Sequence, residues 1–142
     1  RKTTLHASLM RTRWVVEEYF KAIKTGCAFG KRQLDSYDAL LVALALTIPI
    51  AWQLLMLRTF SRVRPNASAS IVLDDTQLRV LKHVSKLPLP PKPTLHDVAW
   101  AIAKLGGHLQ RNGPPGWLTL ARGMRELDLM TTGFLAAQCV ES

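Results

Sequence analysis

Cysteine is almost absent from this chain: Cys27 and Cys139 are the two in 142 residues. They stand far apart and in no ligand-like spacing, so no disulfide framework is expected and both read as reduced thiols of a cytosolic protein. Histidine is also sparse. The four are scattered and none forms HExxH, which argues against a structural zinc. Acidic residues are few, ten against nineteen Lys and Arg, giving a formal net charge of +9 and a pI of about 10.2. Such an excess favours nucleic acid or an anionic membrane surface as partner, and is also compatible with a plain basic domain. No secretory leader is visible, because residues 1–9 start basic but have no apolar core. What the chain does have is apolar content, 48%, too much for a disordered tail and enough for one domain with a modest core.

The segment 13–24, RWVVEEYFKAIK, reads as a helix. At about 100° per residue, Arg13 lies at zero, Glu17 at about 40°, Lys21 at about 80° and Lys24 at about 20°. One acid and three bases therefore share a narrow face. Val16, Tyr19, Phe20 and Ile23 fall on a neighbouring stripe suited to burial. The plain reading of the charged face is a solvated ladder of ion pairs, since Arg13, Glu17 and Lys21 follow at spacings of four, and spacing alone favours it. The alternative is a carboxylate that binds Mg²⁺ beside cations that hold a phosphate. Geometry permits both.

Thr25-Gly26 is expected to end that helix, followed by a loop carrying Lys31 and Arg32. Residues 39–57 contain no charge, a length that meets the crude criterion for a membrane span, with Arg58, Arg62 and Arg64 as a positive flank. Pro49 and Gln53 interrupt the run, alanines dilute it, and there is no second span. A long buried core helix, kinked at Pro49, is the better reading. A short helix is expected over 76–85 with Asp75 as N-cap. Pro88, Pro90, Pro91 and Pro93 predict an extended connector and a subdomain boundary. Thr94 with Asp97 resembles a capping box that opens the next helix, which stops at Gly106-Gly107. No Walker-type lysine and hydroxyl pair follows that GG, so it reads as a turn allowing close packing rather than a phosphate loop. After the turn at 113–116, residues 117–138 are helical again, with a break expected near Gly133. Its apolar surface exceeds what one helix buries alone, and suits either a helical hairpin or contact with a second subunit.

Two stretches carry a resemblance. Arg13, Glu17 and Lys24 match the R-x3-E-x6-K part of the signature of DDE transposases in the insertion-sequence-four family, and RWVVEEYFKAIKTG looks like the Tn-five type. WAIAKLGGHLQRNGPPGWLTLARGM, with GFLAA after it, is similar to the C-terminal dimerisation region of the same proteins. Met10 stands where the family has the signature's tyrosine, and lacks its hydroxyl. The resemblance implies an all-α helical fragment with a long central helix, a proline-rich connector and a C-terminal helical dimerisation hairpin. Its divisions would be 1–10, a leader or divergent segment; 11–64, the last catalytic-core helix plus the long buried helix; 65–93, loop, short helix and connector; and 94–142, the dimerisation subdomain.

The resemblance also implies roles. Glu17 would be the catalytic, metal-holding glutamate of a DDE triad, whose two aspartates lie upstream in the family and are not matched here; Asp74 and Asp75 are not candidates. Arg13, Trp14, Lys24, Lys31 and Arg32 would contact DNA, Trp14 beside a flipped base. Phe134, Leu135 and Ala136 would lie near the dimer contact. Mg²⁺ would serve the intact enzyme and not be bound by this chain alone. The implied partners are transposon-end DNA and a second subunit, in a homodimer or a mixed dimer with full-length transposase, with no membrane, in the cytoplasm at the bacterial nucleoid. On this reading the chain is catalytically incomplete and serves association and DNA contact. The alternatives are an inhibitor acting through mixed dimers, and a small membrane-associated helical protein.

Overall fold

The computed structural model describes residues 2–27 and 33–140, and of residues 2–9 it describes the backbone. Five α-helices make up the fold, and among the described residues there is no strand beyond a single bridge between Ser68 and Thr94.

The first helix, α1 (Lys2–Lys21), begins far earlier than the expected start at Arg13. No glycine or proline interrupts its sequence, so the helix runs unbroken through the supposed leader. It then widens into a π turn, Ala22–Gly26, closed by the Cys27 N–H donating to the Ala22 carbonyl at 2.9 Å. Gly26 ends the turn as expected. The i→i+5 geometry of a π turn departs from the α register, so the angle assigned to Lys24 does not carry over.

The long helix, α2 (Tyr37–Val63), is capped by Ser36, whose Oγ accepts from the Ala39 N–H at 3.1 Å, and it passes through Pro49. Asp38 in its first turn and Arg62 in its last match the sign of the helix dipole at each end. The expectation that this helix is buried along its length is corrected. Its buried positions are Ala43, Thr47, Ala51, Leu54, Leu55 and Leu57, while Tyr37, Leu41, Val42, Leu46, Ile50 and Trp52 are exposed. One stripe faces α1 and the core. The other faces of the first half are largely exposed. By length and composition α2 is the one described helix that could cross a membrane.

Helix α3 (Asp75–Val84) is capped by Asp74, one residue before the expected Asp75. The reason is Gln77: it lies three residues after Asp74 and closes a reciprocal capping box, its N–H donating to Asp74 Oδ1 at 2.8 Å while its Oε1 accepts from the Asp74 N–H at 3.1 Å. Helix α4 (Leu95–Leu105) has the anticipated Thr94–Asp97 box. Helix α5 (Trp117–Val140) is continuous, so the break expected near Gly133 is absent.

Helices α4 and α5 form a hairpin whose backbones touch. A Cβ on Gly106 would collide with the Thr119 carbonyl, and one on Gly123 with the Ile102 carbonyl. Around this crossing Leu54, Leu57, Leu81, Val98, Ile102, Leu120, Met124 and Leu127 make one continuous core from α2 to α5. Each large aliphatic side chain so buried contributes about 1.5–3 kcal/mol. The proline-rich stretch is tied to the loop after α2: Ala69 N–H donates to Pro93 O, Leu95 N–H to Ala67 O and His96 N–H to Pro65 O, at 2.8–3.1 Å.

Candidate DNA-contact helix and association surface

The charged face of α1 is solvent-facing. Arg13 Nε lies 2.9 Å from Glu17 Oε1, with the two side chains 78% and 56% exposed. Such a pair adds only about 0.3–0.5 kcal/mol to a helix, so it is free to exchange its partner for a ligand. Trp14 is half exposed beside it, Met10 is exposed, and Lys24 stands exposed on the π turn without an ion pair among the described residues. Lys21 leaves the expected ladder and binds Glu18 instead, 2.7 Å away. Of the stripe suited to burial, Ile23 is buried and Tyr19 is half-buried, its hydroxyl donating to the Ile48 carbonyl at 3.2 Å. Val16 and Phe20 remain exposed. Lys31 and Arg32 lie outside the described residues.

The residue the sequence analysis passed over is Glu18. It is buried, and its second oxygen receives Arg58 Nη1 at 2.6 Å, joining α1 to α2. The hydrogen bond from Lys21 holds the Glu18 carboxyl below the usual carboxylate range, helped by the charge of Arg58 and opposed by burial. Arg58 stacks over the Trp117 ring at 4.4 Å from its centroid. Burial lowers the guanidinium's pKa, and nearby Arg62 adds to that. A signal for this pair was present: Arg58 is the first charge after an uncharged run and has to find a partner.

A second polar link crosses the core. Gln53 Nε2 donates to the Val72 carbonyl at 3.1 Å, and Gln77 Nε2 donates to Asp128 Oδ1 at 3.0 Å. Burial pushes the Asp128 carboxyl above its ordinary range; the Gln77 bond pulls the other way and Asp74 adds to the rise. Gln53, which counted against a membrane span, thus has a polar use inside the fold.

A two-Mg²⁺ centre needs several converging carboxylates. Glu17 with Arg13 on one oxygen does not supply them, and among the described residues no three His, Cys, Asp or Glu converge. The residues described here do not by themselves fit that metal pair.

The last turns of α5 extend beyond the core. Phe134 is half-buried against α3, with the Arg79 guanidinium 5.6 Å from its ring, at an open apolar cleft of about 390 Å³ shared with Val80, Val84 and Met130. Leu135 and Ala136 are exposed, as are Leu129 and Val140. Three consecutive residues point about 100° apart, so Phe134, Leu135 and Ala136 do not form one flat contact. Gly133 has no atom within 4 Å of where a Cβ would sit.

Residues 49–141 match the family model of the transposase Tn5 dimerisation domain. The chain belongs to that family. The dimerisation domain so defined starts at Pro49, midway along α2, and takes in the hairpin, the capping boxes and the overhanging end of α5. Membership implies self-association. Arg13, Trp14, Glu17 and Lys24 lie before the matched segment.

Proposed function

We propose that this chain is the C-terminal part of a cut-and-paste DNA transposase, in which the Tn5-type dimerisation domain joins two subunits and α1 faces transposon-end DNA. Gly133 carries the association half of this reading. The other glycines within the hairpin crossing, Gly106 and Gly123, have a neighbouring helix against them, whereas Gly133 has open space. A mid-helix glycine costs about 0.5–1 kcal/mol relative to alanine, and no close approach among the described residues calls for it at 133. Leu129, Gly133, Ala136 and Val140 recur at helical spacing on one exposed side of α5. We place the crossing of two subunits there, with Ala136 at its centre; Phe134 and Leu135 point about 130° away from that line on either side.

The DNA half rests on the Arg13–Glu17 face. An exposed carboxylate and arginine, with a half-exposed tryptophan beside them and Lys24 at the end of the helix, supply what a phosphate and an unstacked base would need. Glu17 would be the third acid of a Mg²⁺-dependent DDE centre whose other carboxylates lie outside this chain, and Lys31 and Arg32 would extend the phosphate contacts. The protein would work at the nucleoid in the bacterial cytoplasm. Alone it would associate and hold DNA without cutting it. A second reading rests on the matched dimerisation domain beside Glu17: the chain would form mixed dimers with full-length transposase and inhibit it.

Sedimentation of the wild-type chain and of Gly133→Leu tests the association. Gly133→Leu has room within its own chain, so folding should persist while self-association weakens at least tenfold. Unchanged association would place the contact elsewhere. For α1, Arg13→Ala and Lys24→Ala should each weaken binding to a transposon-end duplex. Co-expression with full-length transposase decides the second reading through transposition frequency, which should fall if mixed dimers form.

A further inference from the structure

The ion pair of Glu18 leaves positive charge in excess on the far side of α2. Arg58 and Arg62 are four residues apart, one turn of α2, and line a pocket of about 180 Å³ closed by His96 on α4 and by the Pro114-Pro115 turn. None of the lining residues is acidic. Glu18 is shared between Arg58 and Lys21, and Arg62 has no ion pair among the described residues. The Arg58 guanidinium has five N–H donors, of which, among the described residues, one, on Nη1, has a protein acceptor; Nε is buried without one there. Like charges one helical turn apart repel, and the single carboxylate of Glu18 is shared with Lys21, so two arginines held this way, one of them with its side chain only 18% exposed, are short of negative charge.

We propose that this pocket binds one tetrahedral oxyanion of the phosphate class, gripped by Arg58 and Arg62 with His96 at the rim. The volume accommodates a single phosphate, and the two arginines recognise its charge and shape. Planar guanidinium forks suit that task. The anion is either free phosphate or one phosphate of a nucleic-acid backbone, and the site depends neither on the α5 contact nor on Glu17.

Arg62→Gln is the test, because Arg62 is exposed and leaves the Glu18–Arg58 pair intact. Melting of the wild-type chain is measured in inorganic phosphate and in chloride of equal ionic strength. Binding of a short duplex of arbitrary sequence is measured across a salt series. A free-phosphate site raises the wild-type Tm by about 4 °C in phosphate at ten times Kd, relative to chloride, and Arg62→Gln loses the rise. A backbone-phosphate site lowers the slope of log K against log salt by about 0.9 in Arg62→Gln, through loss of one phosphate contact. Either result supports the oxyanion site and says which source fills it. If phosphate and chloride act alike and the duplex slope is the same in both proteins, the proposal is wrong.

Discussion

Glu18 and Arg58, forty positions apart, meet at 2.6 Å with side chains only 11% and 18% exposed. The contact fastens α1 to the end of α2, and Trp117 of α5 lies under the guanidinium. Three helices therefore depend on one carboxylate.

Glu18→Gln should destabilise the fold by about 3 kcal/mol, because removing one partner leaves a buried charge uncompensated. Urea denaturation at neutral pH measures this. The folded pKa of Glu18 is lowered, so its contribution is present above the ordinary glutamate value of about 4.3 and is lost as pH falls through the lower folded value. The wild type and Glu18→Gln should converge in stability in that acid window. A gap that stays constant with pH would mean that the charge is not what matters.

Asp128 has the opposite sign. Its folded pKa is raised, so the folded state holds the proton more tightly than the unfolded chain, and this residue's contribution declines as pH rises through that range. Asp128→Asn keeps an oxygen to accept from Gln77 and removes the buried charge. Its Tm should exceed that of the wild type at pH 7, with the advantage shrinking in acid. A lower Tm at pH 7 would show that the charged form of the Gln77 bond outweighs desolvation.

Two glycines of α5 should respond in opposite directions. Gly123→Ala forces a methyl group against the Ile102 carbonyl and should cost about 3 kcal/mol or more, since backbone cannot step aside as a side chain can. Gly133→Ala should stabilise the unassociated chain by about 0.5–1 kcal/mol. Denaturation at low protein concentration compares them, and a similar effect at both sites would contradict the hairpin crossing.

Local signals explain what could be read in advance. The Thr94–Asp97 box, the stop at Gly106 and the all-α class each follow from a few adjacent residues. The cap at Asp74 was also legible, through Gln77 three residues on, but Asp75 competes for the same role. Gly133 suggests a break because glycine is a poor helix former; cooperative extension from the packed first half of α5 overrides it. The half-bare α2 was not legible, since a hydrophobic run does not say how much of the chain is there to cover it. The candidate site divides in the same way. The Arg13–Glu17 pairing follows from helical spacing, while Glu18–Arg58 needs the tertiary fold to bring its partners together.

The close approach at Gly106 and Gly123 acts as a pivot. From Gly123 to Val140, α5 is a rod about 25 Å long, and a 10° tilt at the pivot would move its tip by about 4 Å. In the dimer proposed above, the angle at which two such rods cross would be set partly by a pair of missing methyl groups deep in each subunit, far from the proposed contact. A substitution at the pivot would change the spacing of whatever the two halves carry while leaving the tip's own chemistry untouched.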